Sequence, residues 1–93
     1  MRKDTIVVNI RSGAVYDVLI DRSSPFGNPY PLRSENQRAE VLELYRGYFL
    51  NRIENGPEFK RRVLELRGKR LACWCAPRLC HGGIIVEWLE NNL

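Results

Sequence analysis

Cys73, Cys75, Cys80 and His81 carry the reactive chemistry of this 93-residue chain. They are its only cysteines and its only histidine, and they fall within nine residues. Thiolate and imidazole serve as metal ligands, nucleophiles and bases, so the cluster admits three readings. In one, Cys73, Cys75, Cys80 and His81 hold a structural zinc ion, the one cofactor these residue types suggest. The C-x-C-x4-C-H spacing is not that of the common fingers or ribbons, and adjacent Cys80 and His81 diverge in direction. In another, Cys75 or Cys80 is a nucleophile whose pKa is lowered at a helix start, with His81 as base or orienting group. Cys80 and His81 would stand about 100° apart on a helix, so Cys75 with His81 is an equally good pairing. In the plainest reading the thiols pack as small hydrophobes and His81 caps the helix. Trp74 and Trp88 then fill the core.

The surroundings define a strand-to-helix corner. Cys73 and Cys75 are two apart, so on a strand they share a face with Trp74 opposite. Ala76-Pro77 stops the strand and Cys80-His81-Gly82-Gly83 begins a helix. A helix start presents free backbone N–H groups, and Gly82 and Gly83 carry no side chains to block an anion approaching them. The pattern is not a P-loop, because G-x-x-x-x-G-K is absent.

The second constellation is Asp21 to Arg33, 13 residues with three prolines and a Gly27-Asn28-Pro29 turn. Such long ordered loops are usually functional. Arg22 suits an anion, Ser23 and Ser24 can donate hydrogen bonds, and Gly27-Asn28 exposes amides. Alternatively the loop plugs the sheet edge with Phe26 and Tyr30 buried.

These segments need a scaffold. Thr5–Ile10 and Ala14–Ile20 are rich in Val and Ile, and Arg11-Ser12-Gly13 between them reads as the turn of a β-hairpin. The first strand, apolar at Val7 as well as at Ile6, Val8 and Ile10, is expected to be the more buried. Ser34 with Gln37 forms a capping-box pattern. Val41, Leu42, Tyr45, Tyr48, Phe49 and Ile53 then recur at helical spacing. Asn55-Gly56-Pro57 ends that helix and starts another with Phe59, Val63 and Leu66 on one face. Lys69 to Trp74 reads as a third strand, and His81 to Asn91 as a helix facing the core with Ile84, Ile85, Trp88 and Leu89. The fold class is therefore α/β or α+β: a small three-stranded mixed sheet, an N-terminal hairpin then α-α-β-α, with helices packed on the sheet. A helical crossover makes the third strand parallel to one hairpin strand.

Length fits one domain over residues 1–93. The composition is that of a folded globule, 44% apolar and 28% charged, which excludes disorder, collagen and coiled coil. The net charge is +4, with 12 arginines among 15 basic residues. Arginine forks suit phosphate or carboxylate. Arg61, Arg62, Arg67, Lys69 and Arg70 form a basic cluster, but interleaved Glu58 and Glu65 read as a solvated helix face. An odd, clustered cysteine set is not a secreted disulfide framework. No apolar run is long enough for a membrane span, and the start leads into a strand rather than a signal peptide. The expectation is a soluble cytoplasmic protein.

The sequence resembles a family of short uncharacterised phage and bacterial proteins, known only as a domain of unknown function. The resemblance rests on Val8-Asn9-Ile10-Arg11, on Asp21 to Tyr30, on Leu66 to Pro77 and on Cys80-His81-Gly82. The family pattern is R-P-S-x-x-G-N-P followed by L-x-G-K-x-L-x-C-W-C-x-P-x-x-C-H-G-D. It marks Asn9, Arg22, Ser24, Gly27, Asn28, Pro29, Cys73, Trp74, Cys75, Pro77, Cys80, His81 and Gly82 as a common site. Ser23 and Gly83 depart from it, at the family's Pro and Asp. The resemblance implies a shared site but names no reaction.

The leading expectation is a domain that binds a small anionic, nucleotide-like ligand between the Arg22–Pro29 loop and the Cys75–Gly83 corner. Arg22 would pair with phosphate, the Gly82 and Gly83 amides would hold an oxyanion, and Asn28 would read a polar edge. Asn9, Ser24, Gly27 and Trp74 complete the ligand set. Catalysis would fall to Cys75, Cys80 and His81. No paired acid and base supports a reaction, since only Asp17, Asp21 and Glu87 come near the motifs. The alternatives are a zinc module and a module that binds nucleic acid or a protein partner.

Overall fold

Apolar β-branched runs form two short outer strands, and a Leu-Ala-Cys run forms the central one. The computed structural model describes residues 4–21, 23–30, 33–74 and 80–92; the candidate residues Arg22, Cys75 and Pro77 lie outside them. Strand β1 is Ile6–Asn9, β2 is Val18–Leu19 and β3 is Arg70–Cys73. Helix α1 spans Arg38–Asn55, α2 Pro57–Leu64 and α3 His81–Asn91. Short 3-10 turns occupy Ile10–Ser12 and Glu35–Gln37.

The three strands form one parallel sheet in the order β1-β3-β2. This corrects the expected hairpin and the mixed sheet. β1 and β2 do not pair with each other; each pairs with β3, Val7 opposite Leu71 and Val18 also opposite Leu71. Two polar anchors explain the difference. The Asn9 side chain accepts from the Arg11 N–H at 2.8 Å, and the Ser12 hydroxyl donates to the Asn9 carbonyl at 2.7 Å, which coils the chain out of the strand. Gly13 adopts φ 78°, as its place in the turn predicts, but the turn does not lead back along β1. Asp17 instead docks on β3. Its carboxylate accepts from the Arg70 N–H at 2.8 Å and from the Arg70 guanidinium at 3.1 and 3.2 Å. β3 is the most buried strand, with Leu71, Ala72 and Cys73 all buried, whereas Ile6 of β1 is 45% exposed. The central strand of a parallel sheet is enclosed on both edges, so the apolar run that is central, not the longest one, is the buried one.

The helices match their sequence periodicity. Val41, Tyr45, Phe49 and Ile53, spaced by four, are the buried ridge of α1. Phe59 and Val63 of α2, Leu66 beyond it, and Ile84, Ile85 and Leu89 of α3 complete the core with Ile20, Leu71 and Cys73. Each fully buried Leu, Ile or Phe contributes roughly 1.5–3 kcal/mol. The Ser34 pattern does not form a capping box: Ser34 makes no side-chain cap, its hydroxyl bonds the Asn36 side chain, and α1 begins at Arg38 after a 3-10 turn.

The long loop is bolted to α1 through its own carbonyls. Phe26 is buried beside Phe59, with ring centres 6.0 Å apart. The buried Tyr45 hydroxyl donates to the Phe26 carbonyl at 2.8 Å, and Arg52 Nη1 donates to the Pro25 carbonyl at 2.8 Å. A chain of ring contacts thus runs from the loop through Phe59 and Phe49 to Trp88 on α3.

Candidate functional site

The loop and the strand-to-helix corner meet. A cleft of about 160 Å³ lies between them, with Asp21, Asn28 and Tyr30 on the loop side and Cys73, Trp74, Cys80 and His81 on the corner side. Helix α1 supplies a third wall through Arg38, Val41 and Leu42. The last three are residues that sequence reasoning did not assign to a site.

The loop side is shaped by side chains folding back on their own backbone. The Asp21 carboxylate accepts from the Ser23 N–H and hydroxyl at 2.9 and 2.5 Å. The Ser24 hydroxyl donates to the Asp21 carbonyl at 2.9 Å and accepts from the Phe26 N–H at 3.2 Å. Asn28 Oδ1 accepts from the Tyr30 N–H at 2.9 Å, which leaves its amide nitrogen as the side chain's donor. Ser23 and Ser24 are therefore engaged in holding the loop's shape. Such local bonds are what Asp, Asn and Ser supply in turns. The bonds to Ser23 hold the Asp21 carboxyl below its ordinary value, with the Trp74 indole adding to the effect, so the cleft contains a carboxylate.

On the corner side Trp74 stands 51% exposed, so the expectation that it fills the core is corrected; it forms the rim. Its indole nitrogen is 3.4 Å from Asp21 Oδ2, and the Arg11 guanidinium lies 5.1 Å from its ring centre. Asn9 Nδ2 donates to the Trp74 carbonyl at 3.3 Å, so Asn9 positions this rim. Trp88, by contrast, packs against the core.

The described cysteines are buried thiols. Cys73 and Cys80 face each other with sulfurs 3.2 Å apart, well beyond a disulfide bond of about 2.05 Å. The Cys73 thiol, and burial after it, push the Cys80 thiol above its ordinary value. A buried neutral thiol is a poor nucleophile.

His81 is the first residue of α3, and its Nε2 is 2.5 Å from the Ile20 carbonyl oxygen. A carbonyl only accepts, so Nε2 carries the proton and Nδ1 is the acceptor nitrogen. Burial lowers the His81 pKa, which favours the neutral imidazole. Among the described residues no group of three or more His, Cys, Asp or Glu side chains is placed to hold a metal ion.

The two glycines differ in role. Gly82 is buried against the sheet, where an added Cβ would meet Ile20 Cδ1 at 2.9 Å and Val7 Cγ2 at 3.0 Å. Its lack of a side chain admits the sheet rather than a ligand. Gly83 has open space around it, and its N–H donates to the Cys80 carbonyl at 3.0 Å.

A family model described as a domain of unknown function, DUF4326, matches residues 8–91. The chain belongs to the DUF4326 family. It is 40% identical over 78 residues to an uncharacterized 12.4 kDa protein in the nrdA-td intergenic region of Enterobacteria phage T4, a match covering 84% of this chain and 70% of the phage protein. No solved structure matches. An uncharacterised family with a phage member is what the resemblance implied. For this DUF4326 chain no helix among the described residues is long and apolar enough to cross a membrane.

The basic cluster of this DUF4326 chain is largely matched by local partners. Arg61 pairs with Glu58 and Glu65, Arg62 with Glu58, and Arg70 with Asp17. Arg67 donates to the Asn92 carbonyl at 2.9 Å.

Proposed function

We propose that the protein binds a nucleotide-like ligand, with the ring of the ligand seated between Asp21, Asn28 and Tyr30 of the loop and Trp74, Cys80 and His81 of the corner. The observation that carries this reading is the meeting of both sequence motifs on one cleft. Its volume of about 160 Å³ is below the ~300 Å³ at which drug-sized pockets begin, and suits a heterocycle rather than a whole nucleotide. Trp74 offers a face for stacking, a contact worth about 1–3 kcal/mol per base. Asn28 Nδ2 supplies a donor and the Asp21 carboxylate an acceptor for the polar edge of the ring. Arg38 is already held by Glu35 through two hydrogen bonds of 2.9 and 2.8 Å. The Asp21 carboxylate disfavours a phosphate beside it, which favours a neutral or weakly basic ring at that edge of the cleft. In this reading the two family motifs act as a pair, one on each side of the ring.

The test is tryptophan fluorescence during titration with the common nucleosides. At least one nucleoside should give a saturable change in the parent chain and in Trp88→Phe, but none in Trp74→Phe. A change that survives in Trp74→Phe, or the absence of saturable binding by any nucleoside, overturns the ring site.

A further inference from the structure

A second cleft, of about 230 Å³, adjoins the first, and Asn28 lines both. Its walls are Ser24, Gly27 and Pro29 of the loop with Tyr48 and Arg52 of α1. Arg52 is the notable member. Its guanidinium carbon lies 3.8 Å from the Phe59 ring centre and 5.5 Å from that of Tyr48. Nη1 donates to the Pro25 carbonyl at 2.8 Å and to the Tyr48 hydroxyl at 3.2 Å. These contacts hold the cation in place without neutralising it. No carboxylate among the described residues pairs with Arg52, whereas Arg38 and Arg46 on the same helix pair with Glu35 and Glu43. The same contrast stands in the sequence: Arg38 and Arg46 have a glutamate three residues before them, while Arg52 has Tyr48, Phe49, Asn55 and Gly56 at its helical neighbours. Nε and Nη2 donate to nothing among the described residues, so part of the fork is available for a bidentate anion.

The two clefts differ in their charged groups: Asp21 and the Glu35-paired Arg38 line the first, Arg52 the second. Asp21 repels an anion from the first, and Arg52 attracts one to the second. A ligand with a ring and a phosphate would therefore lie across Asn28, each end in the cleft that suits it.

We propose that the second cleft is an anion subsite in which Arg52 binds the phosphate of the ligand, with Asn28 as the wall shared with the ring site. The position of the ring rests on the function proposed above; the anion subsite rests on Arg52 and its cleft alone.

The experiment is an NMR titration of the labelled full chain with inorganic phosphate, at constant ionic strength against chloride. Saturable shifts are expected at the Ser24, Gly27 and Asn28 amides and at the Arg52 side chain. Arg52→Gln should weaken phosphate binding tenfold or more, with Arg52→Lys, which keeps the charge but loses the fork, in between. A nucleoside 5′-monophosphate should bind at least tenfold tighter than its nucleoside, and Arg52→Gln should abolish that advantage while leaving nucleoside affinity unchanged. Phosphate binding that depends on Arg52 without any nucleoside binding supports the subsite and removes the ring site. Unaltered phosphate binding in Arg52→Gln, no saturable binding, or shifts centred on the start of α3 overturn the subsite. If Arg52→Gln loses its cooperative melt, the parent shift map and Arg52→Lys decide: shifts away from residues 24–28, or full affinity in Arg52→Lys with those shifts absent, overturn it.

Discussion

His81 Nε2 and the Ile20 carbonyl lie 2.5 Å apart, a hydrogen bond that ties the first turn of α3 to the end of β2. The two residues are 61 positions apart in the chain, so this bond exists only in the folded state. It fixes the imidazole tautomer and sets the ring edge-on to Tyr45, with ring centres 5.2 Å apart.

The first prediction concerns pH. Burial lowers the His81 pKa in the fold, against the opposing pull of the Ile20 carbonyl and Asp21. The unfolded chain takes up a proton near pH 6.5 and the native chain only at lower pH, so the unfolded state binds more protons in that window. The stability contributed by neutral His81 is whole above about pH 6.5 and declines as pH falls below it, until the native imidazole protonates as well. Urea midpoints between pH 8 and pH 5 should fall for the parent chain and fall less for His81→Gln. Equal slopes would show that His81 does not carry the effect.

The second concerns the anchor of the loop. Tyr45→Phe removes the hydroxyl that donates to the Phe26 carbonyl at 2.8 Å within the core. The carbonyl is left without that partner, at a cost of about 1–3 kcal/mol. Equilibrium denaturation should show the loss, and backbone amide exchange should rise at residues 24–28 more than in α2. A change below about 0.5 kcal/mol, the scale of an inert surface substitution, would mean the bond does not hold the loop.

The third separates the two glycines. At Gly82 a Cβ would press on Ile20 and Val7 at 2.9–3.1 Å. Overpacking of this kind costs about 1–3 kcal/mol, more than the ~1 kcal/mol an alanine returns through helix propensity. Gly82→Ala should therefore be destabilised. At Gly83 nothing lies within 4 Å of the new Cβ, so Gly83→Ala should be neutral or up to about 1 kcal/mol more stable. Thermal melts of both variants decide; the reverse order would refute the close approach of α3 to the sheet.

Several features were legible in residue types and spacing. The buried ridge of α1, the Pro57 start of α2 and the apolar faces of α2 and α3 follow from local periodicity and turn chemistry, which act over a few residues. The two motif-bearing segments were legible as well, because Cys, His and a Pro-rich loop stand out in a short chain. That no acid stands at the helical neighbours of Arg52 was also readable, since these are fixed by the period of 3.6, yet its aromatic cradle was not, because Phe59 and Pro25 come from other elements.

Strand partnership was not legible. Two Val- and Ile-rich runs joined by a Gly-bearing turn satisfy a hairpin as well as a crossover, and alternation encodes which face is buried but not which strand lies alongside. The choice was made by contacts between residues far apart: Asp17 with Arg70, 53 positions away, and the insertion of β3 between β1 and β2. The same holds for the cleft. Its chemistry was written in the loop and the corner, but its third wall, the exposure of Trp74 and the commitment of Ser24 and Gly82 to the scaffold arise only when distant segments pack. The sequence by itself determined the three helices, the central strand and the family, because these depend on residue identity and local period. The tertiary structure alone decided the parallel sheet, which side chains face the cleft, and where uncompensated charge is left, because each depends on partners that the linear order does not specify.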